Sequence, residues 1–232
     1  MAAARPNARS AARSATSSDR PLLPRAATDL EVVDLSTITT GEWDRVELVG
    51  TLPDSFDEPL LLTEVRLNGA SLVGARLEGS RLVDVVLTAC DLSGVDLLEG
   101  SFTRVDIADC RLSGAQLAQT RLRDVRFVDC RLDGSNLAMM VAERVRFERC
   151  RMQAADFRAA KYEGVAWWDC DLTDAEFGQV KVSRAQLHGS TIDGLRGATA
   201  LAPITIDHDQ FPAFAAHLLA SMGVVVGERD DA

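Results

Sequence analysis

The chain has 232 residues, 47% hydrophobic but only 5% aromatic, with a formal net charge of −10. That length suits one domain with tails, and an acidic body excludes direct binding to nucleic acid phosphates as its expected role. No apolar run reaches the roughly 20 residues of a membrane span.

Residues 1–28 hold five Arg and one Asp among Ala, Ser and Pro. They read as a disordered basic tail without a secretory apolar region. The same Arg- and Ser-rich composition resembles an organellar transit peptide, although nothing else in the chain points to an organelle. Five cysteines without a signal peptide suggest a reducing cytoplasm. Residues 29–59 read as an N-terminal cap and loop. In "WDRVELVG", Val46 and Leu48 look like a degenerate repeat out of phase with Leu62, so that "TLPDSFDEP" loops out before the regular segment.

From Leu62 nearly every fifth residue is large and apolar: Leu62, Leu67, Leu72, Leu77, Leu82 and onward to Leu187 and Ile192, with a lapse at Ala142. A helix has a period of 3.6 and a strand a period of 2, so neither explains this pattern. A solenoid does, if each five residues form one side of a coil and then turn a corner. Two residues before each large position stands a smaller one, and these repeat every twenty residues. One column runs Val65, Val85, Val105, Val125, Val145, Val165; another runs Ala70, Cys90, Cys110, Cys130, Cys150, Cys170, Ser190. Gly74, Gly94, Gly114, Gly134 and Gly194 mark one corner, where a Cβ would strain the backbone. Four sides of five residues make a twenty-residue coil, and residues 60–199 hold seven. The expected fold is all-β, a quadrilateral parallel β-helix with Leu112 and Leu132 in its core and a short C-terminal helix.

The five cysteines are then an inward column, spaced by about 4.8 Å, the distance between strands. A thiol fills such a slot as Ala or Ser would. A straight column does not converge on a tetrahedral zinc ion. Disulfides between rungs are not excluded by distance, but parallel side-chain vectors disfavour them. Met139, Met140 and Val141 cluster where the register lapses, marking a packing defect or a small bulge. Trp167 points inward by register. Trp168 falls in an outward slot near His188 and is a candidate partner anchor, as is the run Arg111, Arg131, Arg151. The three histidines show no metal-binding spacing, and no phosphate-cradling loop or nucleophile elbow is present. No catalytic residue, cofactor or metal is expected.

Residues 200–232 change character. Asp207 or Asp209 is placed to cap a helix in which Phe211, Phe214, Ala215, Leu218, Leu219 and Met222 form one apolar stripe, with Gly223 as its stop. The stripe suits a cap over the last coil or a homodimer interface, and the two can coexist.

Runs such as "GASLVGARLEGSRL", "CDLSGVDL" and "CRLDGSNL" resemble the pentapeptide-repeat proteins, over about residues 60–199. The resemblance implies a right-handed, four-sided parallel β-helix. The chain departs from the family pattern by often placing Val or Cys in the small slot, and Arg before the central apolar residue. The C-terminal region is similar to that of actinobacterial gyrase-inhibiting, fluoroquinolone-resistance members, in which the rod stands in for duplex DNA. The resemblance therefore implies a protein partner, with DNA gyrase as the most specific candidate. The alternative is a structural or scaffold protein with another partner. A continuous acidic stripe across the dimer would favour the first, and a patchy surface with an Arg ladder the second. Residues 54–100 carry nine acids and three Arg, but residues 101–150 carry nine Arg and seven acids.

Overall fold

A chain that turns a corner every five residues must reverse its local twist at each corner. The computed structural model, which describes residues 19–25 and 28–224, shows how. Nearly every corner of the regular coils places one residue in the left-handed region, Arg184 at the β11 corner being an exception. Gly114 (φ 68°) and Gly134 (φ 63°) accept this freely, but Ala154 (φ 53°) and Asp174 (φ 58°) take the same corner on later coils. Each such non-glycine costs on the order of 1 kcal/mol. The cost is offset by the hydrogen bonds that tie each coil to the next.

Twelve parallel strands result. Short strands open the rod: β1 (Glu31–Asp34), β2 (Glu42–Asp44), β3 (Val46–Val49), β4 (Leu61–Thr63) and β5 (Arg66–Asn68). Eight-residue strands follow, each bent over two sides of a coil: β6 (Arg81–Thr88), β7 (Ser101–Ala108), β8 (Arg121–Val128), β9 (Val141–Glu148), β10 (Lys161–Trp168) and β11 (Lys181–His188). β12 (Ile204–Ile206) closes the sheet, and helix α1 (Phe211–Ser221) follows it. The other two sides are held by single bridges, such as Arg111↔Arg131↔Arg151 and Gln116↔Asn136↔Asp156. The fold is a right-handed quadrilateral β-helix.

The rod has about eight turns rather than seven. β1 pairs with β3, and β3 with β5, so much of the expected cap is itself wound into the solenoid. The phase shift is real. Leu48 lies opposite Leu67, nineteen residues on, whereas Leu82 lies opposite Phe102, twenty on. Part of "TLPDSFDEP" does leave the ladder: Pro53 to Phe56 form a turn closed by the Phe56 amide on the Pro53 carbonyl (2.9 Å), and Phe56 folds back on the core.

The lapse at Ala142 produces no bulge. β9 keeps unbroken register with β8 and β10. Met140 is buried beside Ala142, and Tyr162 fills the equivalent slot one coil on. The register slip lies elsewhere, where Glu163 of β10 faces Arg184 of β11 instead of Ser183. Further along the rod the core turns aromatic: Phe127 stacks on Phe147 at 4.8 Å, Phe157 on Phe177 at 4.6 Å, and inward-facing Trp167 packs edge-on to Phe157.

At the far end the apolar stripe of α1 is split. Phe214 is buried and Leu218 packs on the core, whereas Phe211 is 64% exposed, Met222 is 71% exposed and Leu219 is also exposed. Neither Asp207 nor Asp209 caps the helix. Gln210 holds the N-cap position, and its amide instead donates to the Ser190 carbonyl (2.7 Å). Pro212 is tolerated because it lies in the first turn. Gly223 (φ 76°) stops the helix, with its amide on Ala220 and the Val224 amide on Leu219, a Schellman closure.

Part of the basic tail is among the described residues. Residues 1–18 and 225–232 lie outside the described residues, but residues 19–25 lie along the rod, with Pro21 buried. Leu112 and Leu132 are in the core at 1% and 0% exposure. Leu132→Asp should destabilise the rod by more than about 4 kcal/mol, because it buries an unpaired carboxylate. Denaturant unfolding followed by circular dichroism checks this; an unchanged midpoint would overturn the register.

Candidate functional site

The exact recurrence of residues every twenty positions makes the surface and the core a set of columns. Each column must be read for what it can do.

The thiol column is structural. All five cysteines are buried and reduced. Cys130 Sγ donates to the carbonyls of Val128 (3.3 Å) and Ile107 (3.4 Å), and Cys170 Sγ does the same to Trp168 (3.3 Å) and Phe147 (3.4 Å). One coil on, Ser190 Oγ makes the equivalent bonds to His188 (3.2 Å) and Trp167 (3.3 Å), so the slot takes a small donor of either kind. Bonds to the neighbouring sulfurs, reinforced by burial, push the Cys110 and Cys150 thiols far above their ordinary range. The same bonds, seen from their other ends, lower the Cys90 and Cys130 thiols; it is burial of all five that keeps the column from meeting an external electrophile. Val105 and Val125 fill the adjacent core column. Among the described residues no group of three or more His, Cys, Asp or Glu side chains gathers as a metal site.

The column Arg111, Arg131, Arg151 is exposed on a side held by single bridges. Arg111 and Arg131 make no ion pair among the described residues; Arg151 lies 3.7 Å from Asp133. Asp91 and Asp171 bound the run at either end. Three guanidinium groups stacked at a coil spacing of about 4.8 Å repel one another; Asp91 and Asp171 at the ends and Asp133 beside Arg151 offset part of that repulsion.

Trp168 is half-buried rather than a free anchor. Arg146 lies over its ring, with the guanidinium carbon 3.8 Å from the centroid, a cation–π contact. His188 stands opposite Trp168 in the next strand but is bound to Asp207 (2.7 Å). This patch is therefore closed by its own partners.

A further column escapes sequence reasoning. Asp84 takes both arms of Arg104 (2.7 and 2.6 Å), and Asp124 takes both arms of Arg144 (2.7 and 2.8 Å). The hydrogen bond from Arg104 holds the Asp84 carboxyl below the ordinary aspartate range against the opposing effect of burial. For Asp124 burial pushes upward but is outweighed by Arg144 and the Leu22 amide. Other columns pair in the same way, as in Asp106 with Arg126 (2.8 Å), Asp129 with Arg149 (2.7 Å) and Glu176 with Arg196 (2.8 Å). The sequence signal was an acid followed by Arg exactly one coil later, which a search for apolar periodicity passes over.

These features define a parallel β-helical repeat protein whose surface is organised in one-residue columns. The sequence profile of the pentapeptide repeat region matches residues 61–137, 100–177 and 120–196, and the chain belongs to that family. No curated protein matches it significantly. Among solved structures it is similar to trypsin-treated QnrB1, a plasmid-mediated fluoroquinolone resistance protein, at 19% identity over 85% of this chain and 97% of that one, with a TM-score of 0.44. It is also similar to HetL, a pentapeptide repeat protein involved in heterocyst differentiation regulation from the cyanobacterium Nostoc, at 17% identity over 73% and 86% of the two chains, with a TM-score of 0.28.

Two outcomes test these assignments. Cys130→Ser should change stability by no more than about 1 kcal/mol, since the hydroxyl inherits both carbonyl partners, and an aromatic disulfide reagent should titrate the thiols only after unfolding. Asp84, lowered in the folded state, contributes stability above the ordinary aspartate value of about 3.9, and this is lost as pH falls through its folded value. The gap in denaturant midpoint between the native chain and Asp84→Asn should therefore shrink as pH drops from 7 towards 2.

Proposed function

We propose that the protein is a non-enzymatic rod that presents a rigid surface to a protein partner, and that the working face is the Arg111–Arg131–Arg151 column. Its family and its columnar surface support a binding role. The observation that carries the choice of face is the stacked, exposed Arg run, in which Arg111 and Arg131 make no ion pair among the described residues while Arg126, Arg144 and Arg149 are each paired to an acid. Such a face suits an acidic protein surface. It does not suit nucleic acid, because the body around it carries net negative charge.

DNA gyrase, engaged through DNA mimicry with protection from fluoroquinolones, is the other specific candidate. A mimic must present an extended negative stripe to a basic groove. Here the mid-rod acids Asp84, Asp106, Asp124 and Asp129 are each bonded to an Arg one coil on, so no column is acidic throughout. The net charge of −10 supports the gyrase reading, and the distribution of charge favours the acidic-partner reading. A homodimer is part of either reading. Exposed Phe211, Leu219 and Met222 supply its contact, while Phe214 and Leu218 fasten the helix to the rod. No helix among the described residues is long and apolar enough to cross a membrane. Reduced thiols support a cytoplasmic setting.

The test is supercoiling by purified gyrase with increasing amounts of the protein, with and without a fluoroquinolone. The Arg-face reading expects no inhibition and no protection, together with capture of an acidic partner that is lost in Arg131→Glu. Inhibition or protection at low-micromolar protein, retained in Arg131→Glu, would put gyrase mimicry in its place.

A further inference from the structure

Residues 19–25, Asp-Arg-Pro-Leu-Leu-Pro-Arg, run lengthwise over the column Asp84, Arg104, Asp124, Arg144, Gly164, Arg184. Three contacts fix them. The Arg25 amide donates to Asp84 Oδ1 and the Leu22 amide to Asp124 Oδ1, each at 3.1 Å. The Asp19 carboxylate lies 3.1 Å from Arg184 Nη1. It sits over Gly164, so close that a Cβ there would come within 3.1 Å of Asp19 Oδ1.

The spacing is regular. Positions 25, 22 and 19 meet positions 84, 124 and 164, three strap residues for every two coils. Two coils span about 9.6 Å, and three residues of polyproline II span about 9.3 Å. Each proline fixes its own φ and disfavours helical backbone in the residue before it; Pro21 to Arg25 form neither helix nor strand, while Asp19 lies in a helical turn and Arg20 in a bend. Three residues per turn also places Pro21 and Pro24 on one edge; Pro21 is buried and Pro24 half-buried, while Leu22 and Leu23 are exposed.

The chemistry is complementary as well. The column alternates acid and Arg, and each acid pairs with the Arg one coil on, until Gly164 interrupts it. Arg184 then turns to Glu163 beside the column (3.4 Å) and to Asp19, which reaches it from above (3.1 Å). Gly164 is the one place in this column where the missing side chain leaves room for an incoming acid.

We propose that the column from Asp84 to Arg184 is a peptide-docking groove. It reads an extended Asp-x-Pro-x-x-Pro segment, and residues 19–25 occupy it in cis, withholding it from a partner's segment of the same chemistry. The carboxylates of Asp84 and Asp124 take main-chain amides, which sets spacing and direction. The gap at Gly164 with Arg184 selects the acid. A duplicate segment on a partner protein competes only when the strap lifts, so the strap acts as a tethered competitor at high effective concentration.

The full chain carrying Asp19→Arg sets like charge against Arg184 without touching the core. Hydrogen exchange should show the Leu22 and Arg25 amides protected in the native chain. They should exchange at least about tenfold faster in Asp19→Arg, and be protected again in Asp19→Arg/Arg184→Asp, as expected for about 1.4 kcal/mol of charge-assisted bonding. A fluorescent peptide of residues 17–27 should bind Asp19→Arg at least about tenfold more tightly than the native chain. Unprotected amides in the native chain, protection unchanged by Asp19→Arg, or equal peptide binding to both chains would overturn the proposal. Protection that fades on dilution together with a dimer would assign the strap to a second copy and overturn occupancy in cis.

Discussion

The structure depends on one constraint, the inter-coil hydrogen-bond ladder that ties residue i to residue i+20. The Leu112 amide donates to Arg131 and the Arg131 amide to Cys110, and this relation repeats along the rod. Every buried polar group of the backbone is satisfied only if each coil lies flat on the next, and an unsatisfied group costs about 1–3 kcal/mol. A coil of a different length shifts the register of its neighbours, so the regular coils hold to twenty, with departures confined to the two ends and to the Glu163–Arg184 slip, and each residue type is forced into a column. The columns are consequences: inward ones become Leu, Phe, Val or Cys stacks, and outward ones become charge ladders.

The same constraint explains what the corners tolerate. Fixing coil length fixes where the chain turns, and at nearly every corner the turn is left-handed whatever residue stands there. Glycine is the inexpensive choice, yet Ala154 and Asp174 take the same corner because a local cost of about 1 kcal/mol is smaller than the loss of ladder bonds that would follow from a shifted turn. The cysteine column obeys the same logic. A narrow slot flanked by carbonyls at positions such as Val128 and Ile107 wants a small side chain that donates weakly, and Cys and Ser both meet that need. A regular beat of cysteines, which in a loop-rich chain would suggest metal or disulfide, is here set by the packing of neighbouring coils.

Much of this was legible because core periodicity is a property of residue type alone. The five-residue series from Leu62, the twenty-residue columns and the inward placement of Trp167 all follow from which side chains avoid water. The N-terminal coils were harder to place because they are short: β1 meets β3 after fifteen residues and Trp43 stands opposite Leu62 at nineteen, so a template of twenty reads Val46 and Leu48 as out of phase. The slip between Glu163 and Arg184 carries no apolar signature, whereas the apolar lapse at Ala142 is absorbed by Met140 and Tyr162 without moving the backbone. Helix α1 shows a different limit. Its stripe from Phe211 to Met222 is continuous in sequence, but the last coil is narrow and takes only Phe214 and Leu218. Trp168 was outward by register, and only the coordinates show Arg146 closing over it.

The strap was invisible for a related reason. Composition marks residues 1–28 as unable to build a core, but a segment need not build a core to be ordered when a ready-made ladder offers acceptors at its own repeat. Two prolines lower the entropy that such a segment loses on docking, so a few bonds and one ion pair suffice to hold it. The rod in turn spends Asp84, Asp106, Asp124 and Asp129 on the Arg one coil on. Among the described residues Arg111 and Arg131 stand on adjacent coils without an ion pair, and Arg184, beside Gly164, turns to Glu163 and to Asp19 of the strap instead of to its own column. Both arise where a column departs from strict alternation of acid and base, and it is at those departures that a rigid rod acquires specificity for anything other than its own next coil.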